Sequence, residues 1–212
     1  MKDWPTDHPK AKLMARKRAA ILDAALEMFL RDGYEGTSME QIAAKAGVSI
    51  MTLYRHAQGK DKLFAAVIAS ACHPADQAEQ AKIEETLQKS FEEILVFVGL
   101  MFQERIASPT TTALFRAVMV ETARYPHLAQ MAYAGLIGTH EEALETFFGQ
   151  RVETAALDAS QRRKLGADFF DRLVGVDTFS VLLGLEGASE ETRLERARYA
   201  TAELLSALPA NQ

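Results

Sequence analysis

Residues 37–64 read TSMEQIAAKAGVSIMTLYRHAQGKDKLF, and the architecture follows from how this stretch is punctuated. Thr37-Ser38-Met39-Glu40 has the pattern of a capping box, in which a Thr hydroxyl accepts from the backbone three residues on and the Glu reaches back. A helix of about nine residues follows to about Ala46, where Gly47 supplies a left-handed stop. Ser49 caps a short helix through about His56, and Gly59 precedes another from about Lys60 to Cys72. Ala43, four residues before Gly47, is small enough to let two helices cross closely. Ile42, Ala46, Val48 and Leu53 supply a compact apolar centre. Two short helices joined by a tight turn at Gly47-Val48 have the geometry of a helix-turn-helix, whose second helix lies in the DNA major groove.

Upstream, a polar, basic arm (residues 1–12) leads into a helix of about 17 residues ending near Asp32-Gly33, with Ile21, Leu22, Ala25, Met28 and Phe29 at helical spacing. Downstream, Pro74 and the polar residues Asp76 to Lys82 read as a junction. Beyond it lie apolar-striped helices broken at Ser108-Pro109, Tyr125-Pro126, around Gly149 and at Gly184 to Ala188, each break carrying Pro or Gly. No stretch alternates apolar and polar residues as a half-buried strand does, so the fold class is all-α. The expected division is a flexible basic arm over 1–12, a three-helix helix-turn-helix domain over 13–65 and a larger helical domain over 66–212.

With 48% hydrophobic and 25% charged residues, the 212-residue chain has the composition of a folded globular protein. The longest apolar run, Ile94 to Phe102, is half of what a bilayer span needs. The start of the chain lacks the apolar core of a secretory signal. A lone cysteine, Cys72, allows no internal disulfide, which suits a reducing compartment and a cytoplasmic protein. The net charge of −5 hides an asymmetry: residues 1–65 hold 11 Lys and Arg against 8 Asp and Glu, the remainder 13 against 21. A basic head on an acidic body confines DNA contact to one end.

The first third of the chain closely resembles the TetR (tetracycline-repressor) family. The resemblance runs through Ile21-Leu22-Asp23-Ala24-Ala25, Gly33-Tyr34, Thr37-Ser38-Met39, Ile42-Ala43, Ala46-Gly47-Val48-Ser49, Thr52-Leu53-Tyr54-Arg55-His56 and Lys60-Asp61-Lys62-Leu63-Phe64. It implies that Ser49, Ile50, Met51 and Thr52 meet bases or nearby phosphates and that Tyr54 and His56 hold the sugar-phosphate backbone. Lys60 aligns with a phosphate-binding lysine at a helix N-terminus, whose own field favours anions. Thr37, first a helix cap, adds a phosphate contact. Each residue also has a plainer role: Tyr54 packing across its helix, Lys60 as a solvated surface lysine, Ile50 and Met51 as core. Two departures stand out. Ala57 replaces the aromatic residue many relatives carry, which loosens the packing or shifts it to Tyr54 and Leu63. Ile50-Met51 replaces more polar or smaller pairs, which suits contact with thymine methyl groups.

By the same resemblance, the C-terminal part encloses a small-molecule pocket and forms a homodimer. Phe97, Met101, Phe115, Met119 and Tyr133 are candidates for its lining, with ordinary core as their alternative use. Phe91, Leu95, Val98, Met101 and Phe102 share one helical face, and Phe115, Val118, Met119 and Thr122 another. The segment from Phe115 to Leu128 also looks like part of one broad subgroup of these regulators. The last two helices, about 159–183 and 190–208, would pair with their copies. They carry Phe169, Phe170, Leu173, Val176, Phe179 and Val181, then Leu194, Ala197, Ala200, Leu204 and Leu205. A two-fold operator needs two recognition helices ~34 Å apart. The implied mechanism is a repressor released from a palindromic double-stranded operator when a small apolar effector displaces the fourth helix.

Catalytic and metal chemistry find no support in the sequence. His8, His56, His73, His127 and His140 show no paired ligand spacing, and the adjacent Cys72 and His73 point about 100° apart on a helix. Glu92-Glu93 and Glu141-Glu142 read as solvated helix faces. There is no phosphate loop, dinucleotide fingerprint or nucleophile elbow. The expectation is a regulator without cofactor, metal or membrane, and not an enzyme. The rivals are a helical ligand-binding protein or enzyme with an incidental helix-turn-helix, and an architectural DNA binder without effector. An activator role stays open, because the sign of regulation depends on operator position.

Overall fold

The computed structural model describes residues 8–71 and 77–209, and all regular structure among them is helical. The α-helices are α1 (Pro9–Gly36), α2 (Met39–Lys45), α3 (Ile50–Ala57), α4 (Lys60–Ala71), α5 (Gln77–Thr86), α6 (Phe91–Ile106), α7 (Pro109–Glu121), α8 (Pro126–Tyr133), α9 (Thr139–Phe148), α10 (Ala159–Leu173), α11 (Val176–Leu182) and α12 (Glu190–Ser206). A π-helical turn, Ala134–Gly138, runs directly into α9. Pro109 and Pro126 stand at the first helical position, where the missing N–H has no partner to lose. The chain packs as two compact units, with divisions after Ala71, Thr112 and Ala132, so residues 113–132 belong with the N-terminal unit. These units do not follow the expected boundary after residue 65, which falls inside α4.

In the N-terminal unit, α1 is 28 residues long and begins earlier than expected. His8 Nδ1 accepts from the Lys10 N–H at 3.1 Å, so residues 9–12 of the expected arm are helical, and residues 1–7 lie outside the described residues. Gly33 breaks the helix at φ 74°, and a Cβ there would sit 2.9 Å from Glu121 Oε1. Both the left-handed conformation and the lack of room call for glycine. Ile21, Ala25, Met28 and Phe29 are buried, as is Tyr34 just past the break. Phe29, Tyr34 and Phe64 meet at centroid distances of 5.0 to 6.0 Å. Tyr125 joins them edge-on to Tyr34 at 5.4 Å, and Arg124 pairs with Glu35. These contacts hold residues 113–132 on the head. On α7 the buried face is Leu114 and Val118: of the expected stripe of Phe115, Val118, Met119 and Thr122, Val118 is buried as expected, and Leu114 takes the inward place given to Phe115. Phe115 is half-buried and Met119 exposed.

In the other unit, residues 77–82 form part of α5 and are not an open linker; Pro74, Asp76, Cys72 and His73 lie outside the described residues. The core gathers Phe91, Leu95, Phe102 and Ile106 of α6, Leu144 and Phe148 of α9, Phe169, Phe170 and Leu173 of α10, and Ala197, Ala200 and Leu204 of α12. Much of the stripe expected to pair two copies is therefore core within one subunit. The expected helix 159–183 is two helices, broken at Val174-Gly175. A Cβ on Gly175 would run into the Asp177 carboxylate and the Arg196 guanidinium, which form an ion pair at 2.6 Å. Buried Gln103 donates to the carbonyls of Gly99 (3.2 Å) and Arg193 (2.9 Å), tying α6 to α12.

Gly99 lets α6 and α12 approach closely: a Cβ there would lie 3.1 Å from Ala197 Cβ and 3.2 Å from Leu173 Cδ2. Ala197 cannot yield without moving its helix. Gly99→Val is expected to lower stability by about 1–3 kcal/mol through overpacking, read as a lower urea midpoint at unchanged slope. An unchanged midpoint would show that α6 and α12 separate freely.

Candidate nucleic-acid interface and ligand cavity

The turn between α2 and α3 closes as the sequence requires. Gly47 adopts φ 65°, its N–H bonds the Ala44 carbonyl at 3.2 Å, and the Val48 N–H bonds Ala43 at 3.0 Å. That double closure is a Schellman motif. Ser49 caps α3 by accepting from the Thr52 N–H at 3.2 Å, and its hydroxyl lies 2.9 Å from that of Thr52. Leu53 and Ala57 turn inward and are buried, as is Leu63 of α4. Tyr54 is 47% exposed, and Met51 is 79% exposed. Met51, Tyr54, Arg55 and Gln58 follow helical spacing and share one outward face. Arg55 and Gln58 were not among the expected contacts, although their spacing from Met51 marks them. Ile50 and Thr52 are half-buried at the edge of this face.

Three expected contacts are placed differently. The cap of α2 is Ser38, paired reciprocally with Gln41, not Thr37 with Glu40. Thr37 is 2% exposed, and its hydroxyl donates to the Gly33 and Met28 carbonyls at 2.8 and 3.1 Å. That hydroxyl closes the end of α1 and has no proton left for a phosphate. His56 is half-buried with Nε2 enclosed and without a hydrogen-bond partner, so it presents outward at most its other ring nitrogen. Burial, reinforced by the nearby cations Arg55, Arg18 and Lys17, depresses its pKa. The Lys60 ammonium donates to the Glu35 carbonyl at 3.2 Å and lies 4.4 Å from the Tyr34 ring centre; burial lowers its pKa as well. Tyr34 in turn donates to Asp61, and burial followed by that carboxylate raises its pKa far above the ordinary phenol value. Lys17 and Arg18 of α1 thus extend the cationic edge of α3, a juxtaposition no local pattern announces.

The C-terminal unit contains a cavity of about 300 Å³, within the usual size of small-molecule sites. Phe97, Val98, Met101 and Phe102 of α6, Ile83 and Leu87 on the α5 side, and Phe147 and Phe170 supply apolar walls. Phe97 and Met101 were expected there; Phe115, Met119 and Tyr133 are not among the lining residues. Tyr133 is exposed, its hydroxyl 3.3 Å from Glu141. The polar groups of the wall are Thr86, Arg105 and His140, none of which the sequence singled out. No group of three or more His, Cys, Asp or Glu among the described residues could hold a metal ion, and no described helix is long and apolar enough to cross a membrane.

A helix-turn-helix with an outward reading face, and a second helical unit with an apolar cavity, define a DNA-binding transcriptional regulator. Residues 21–67 match the family described as bacterial regulatory proteins, tetR family, and residues 93–206 match the AefR-like transcriptional repressor, C-terminal domain. The chain belongs to the TetR family, whose members are transcription factors and not enzymes. It is 37% identical to the HTH-type transcriptional regulator SrpR of Pseudomonas putida over 41% of this chain. That match spans 53% of SrpR, about half its length. It is 40% identical to RutR of Escherichia coli over 30% of each chain. Among solved structures, the flavonoid-responsive regulator FrrA superposes with a TM-score of 0.68 at 25% identity, covering 93% of this chain and all of that one. A TetR regulator from Agrobacterium tumefaciens shares the fold, with a TM-score of 0.66 at 18% identity over 91% and 94% of the two chains.

The surroundings of His56 set an expectation for its titration. In the free protein its imidazole is expected to titrate below the ordinary ~6.5, followed by NMR of the ring protons. Removing the charges of Lys17 and Arg18 together should raise it. Because the folded value is depressed, neutral His56 contributes stability that is present above ~6.5 and is lost as pH falls through the folded value. A His56 that titrates at or above the ordinary value would show that this edge is neither desolvated nor cationic.

Proposed function

We propose that this chain is a repressor: a homodimer that holds a palindromic operator and releases it when a small, largely apolar molecule enters the cavity of the C-terminal unit. The observation that carries the DNA reading is the outward face of α3. A short helix otherwise pinned by buried Leu53 and Ala57 leaves Met51 largely and Tyr54 about half uncovered, with Arg55 and the α1 cations Lys17 and Arg18 near the same edge. Met51 and the half-buried Ile50 meet thymine methyl groups. Ser49, Thr52, Tyr54, His56 and Arg55 meet phosphates or base edges, and Lys60 reaches a phosphate by leaving the Glu35 carbonyl. The repressor sense is supported by the AefR-like repressor description of the C-terminal match. Effector response is supported by the cavity and by the flavonoid-responsive character of FrrA. A tenfold release requires only ~1.4 kcal/mol of differential effector binding between two states of the dimer.

The dimer is assigned to the stretches 159–183 and 190–208, which hold α10, α11 and α12. Val176, Phe179, Leu183 and Leu185 are exposed large apolar side chains in one short stretch, and Tyr199 of α12 is exposed as well. Neighbouring uncovered apolar groups of this kind mark an association surface, and a two-fold axis through it is the usual closed arrangement.

Selection of random duplex DNA by the purified protein tests this reading. A motif with two inverted half-sites, their centres ~34 Å apart, is expected. Met51→Ala should change which bases are retained, whereas Lys60→Ala should weaken all sequences alike and lower the salt slope by about one. Recovery of no motif at low salt by a folded protein would remove the assignment of sequence reading to this head.

A further inference from the structure

The polar groups of the cavity carry information about what it holds. His140 lies at the start of α9, directly after the π-helical turn Ala134–Gly138, a feature found frequently at functional sites. Its Nδ1 is 3.0 Å from the Leu136 carbonyl. A carbonyl only accepts, so Nδ1 carries the proton and Nε2 is left with a lone pair. The rings of Phe102 and Phe170 stand edge-on to the imidazole at 5.3 and 6.2 Å, and burial, the largest influence, lowers its pKa. On α5, buried Thr86 spends its hydroxyl proton on the Lys82 carbonyl at 2.8 Å, which leaves its oxygen an acceptor. The one charged side chain of the wall, Arg105, is paired with Glu79. Among the described lining residues, His140 and Thr86 thus each carry an acceptor, Nε2 and Oγ1, and the one charged side chain, Arg105, already has a counter-charge.

We infer that the effector is an uncharged aromatic or alicyclic molecule bearing a hydroxyl group, which donates a hydrogen bond to Nε2 of His140. The inference rests on the proposal that this cavity is the effector site and adds the chemical class. A carboxylate would meet Arg105 only as a second anion beside Glu79, and an ammonium finds no carboxylate among the described lining residues. A hydrocarbon leaves Nε2 buried without a donor, and the loss of a hydrogen bond at such an atom is costly.

Four probes of one shape test it: 2-naphthol, naphthalene, 2-naphthoate and 2-naphthylmethylammonium, titrated against the full chain by fluorescence and ligand-observed NMR at pH 7.5. 2-Naphthol is expected to bind about tenfold more tightly than naphthalene (~1.4 kcal/mol), with both ions weaker than the phenol. In His140→Leu the preference for the phenol should vanish while naphthalene still binds, which also shows that the variant is folded. In His140→Gln, whose side chain keeps an acceptor, part of the preference should return. Equal binding of 2-naphthol and naphthalene, or a preference that survives His140→Leu, overturns the inference and leaves the cavity an apolar site. Tightest binding by 2-naphthoate overturns it in favour of Arg105. If naphthalene and the other three all fail to bind, the effector-site reading falls and takes this inference with it.

Discussion

A helix of eight residues has no stability of its own in water, because nucleation costs more than a few backbone bonds return. The reading face of α3 therefore exists only while its opposite face is held. Leu53, fully buried, and Ala57 hold it, and two backbone closures set its direction: the Schellman motif at Gly47 on one side and the left-handed Gln58 on the other. Gln58 donates its N–H back to Tyr54, so the end of α3 and the placement of Tyr54 are one event. Thr37 extends the same logic upstream. Its hydroxyl ties the end of α1 to the start of α2, so the direction in which Met51 points is inherited from the break at Gly33. A residue that resembles a phosphate donor is here a hinge pin, and the exposed side chains downstream depend on it.

The C-terminal unit divides its work across one helix. On one side of α6 the absent side chain of Gly99 lets α12 approach until Cβ contact would fail, and Gln103 locks that approach through the Arg193 carbonyl. Elsewhere on the same helix, Phe97, Val98 and Met101 line the cavity, and Phe102 serves both core and wall. The cavity is thus bordered by a rigid seam. A side chain that relaxed into the open space would have to pull a member of the core out of it, and close-packed interiors resist such shifts.

The sequence exposed most of the fold, because helix ends carry local chemistry. Ser49, Gly47, Pro109 and Pro126 each mark a boundary where the structure has one. It was less legible where two residues of the same chemistry compete within one step. Thr37 and Ser38 both offer a hydroxyl, and Glu40 and Gln41 both offer a partner, so the capping box fell one residue early. On α7 the same ambiguity put Phe115 and Met119 inward along with Val118, where Leu114 and Val118 are buried. Long-range pairings were not legible at all. Nothing in the neighbourhood of Tyr125 announces Tyr34, so the association of residues 113–132 with the head had no sequence signal. His140 and Arg105 were invisible as cavity residues for the same reason, since a single polar residue on a helix has no pattern until its neighbours from other helices are in place.

A space of this size is itself an argument about function. A space of about 300 Å³ leaves the apolar side chains around it short of the packing partners that a close-packed interior supplies. Filling it with water relieves only part of that, since most of the wall is apolar and offers water few partners. Selection for stability alone would close such a space with larger side chains, and α6, α9 and α10 already carry the phenylalanines needed to do so. Affinity for the cavity is nevertheless insufficient for regulation. A molecule that binds two states of the protein equally shifts neither, however tightly it is held. What distinguishes a regulatory cavity from a mere gap is polar groups whose alignment depends on the local backbone. Here the acceptor at His140 is oriented by the Leu136 carbonyl within a π-helical turn. A bond to Nε2 is therefore sensitive to the register of that turn, whereas apolar contacts alone would tolerate either arrangement.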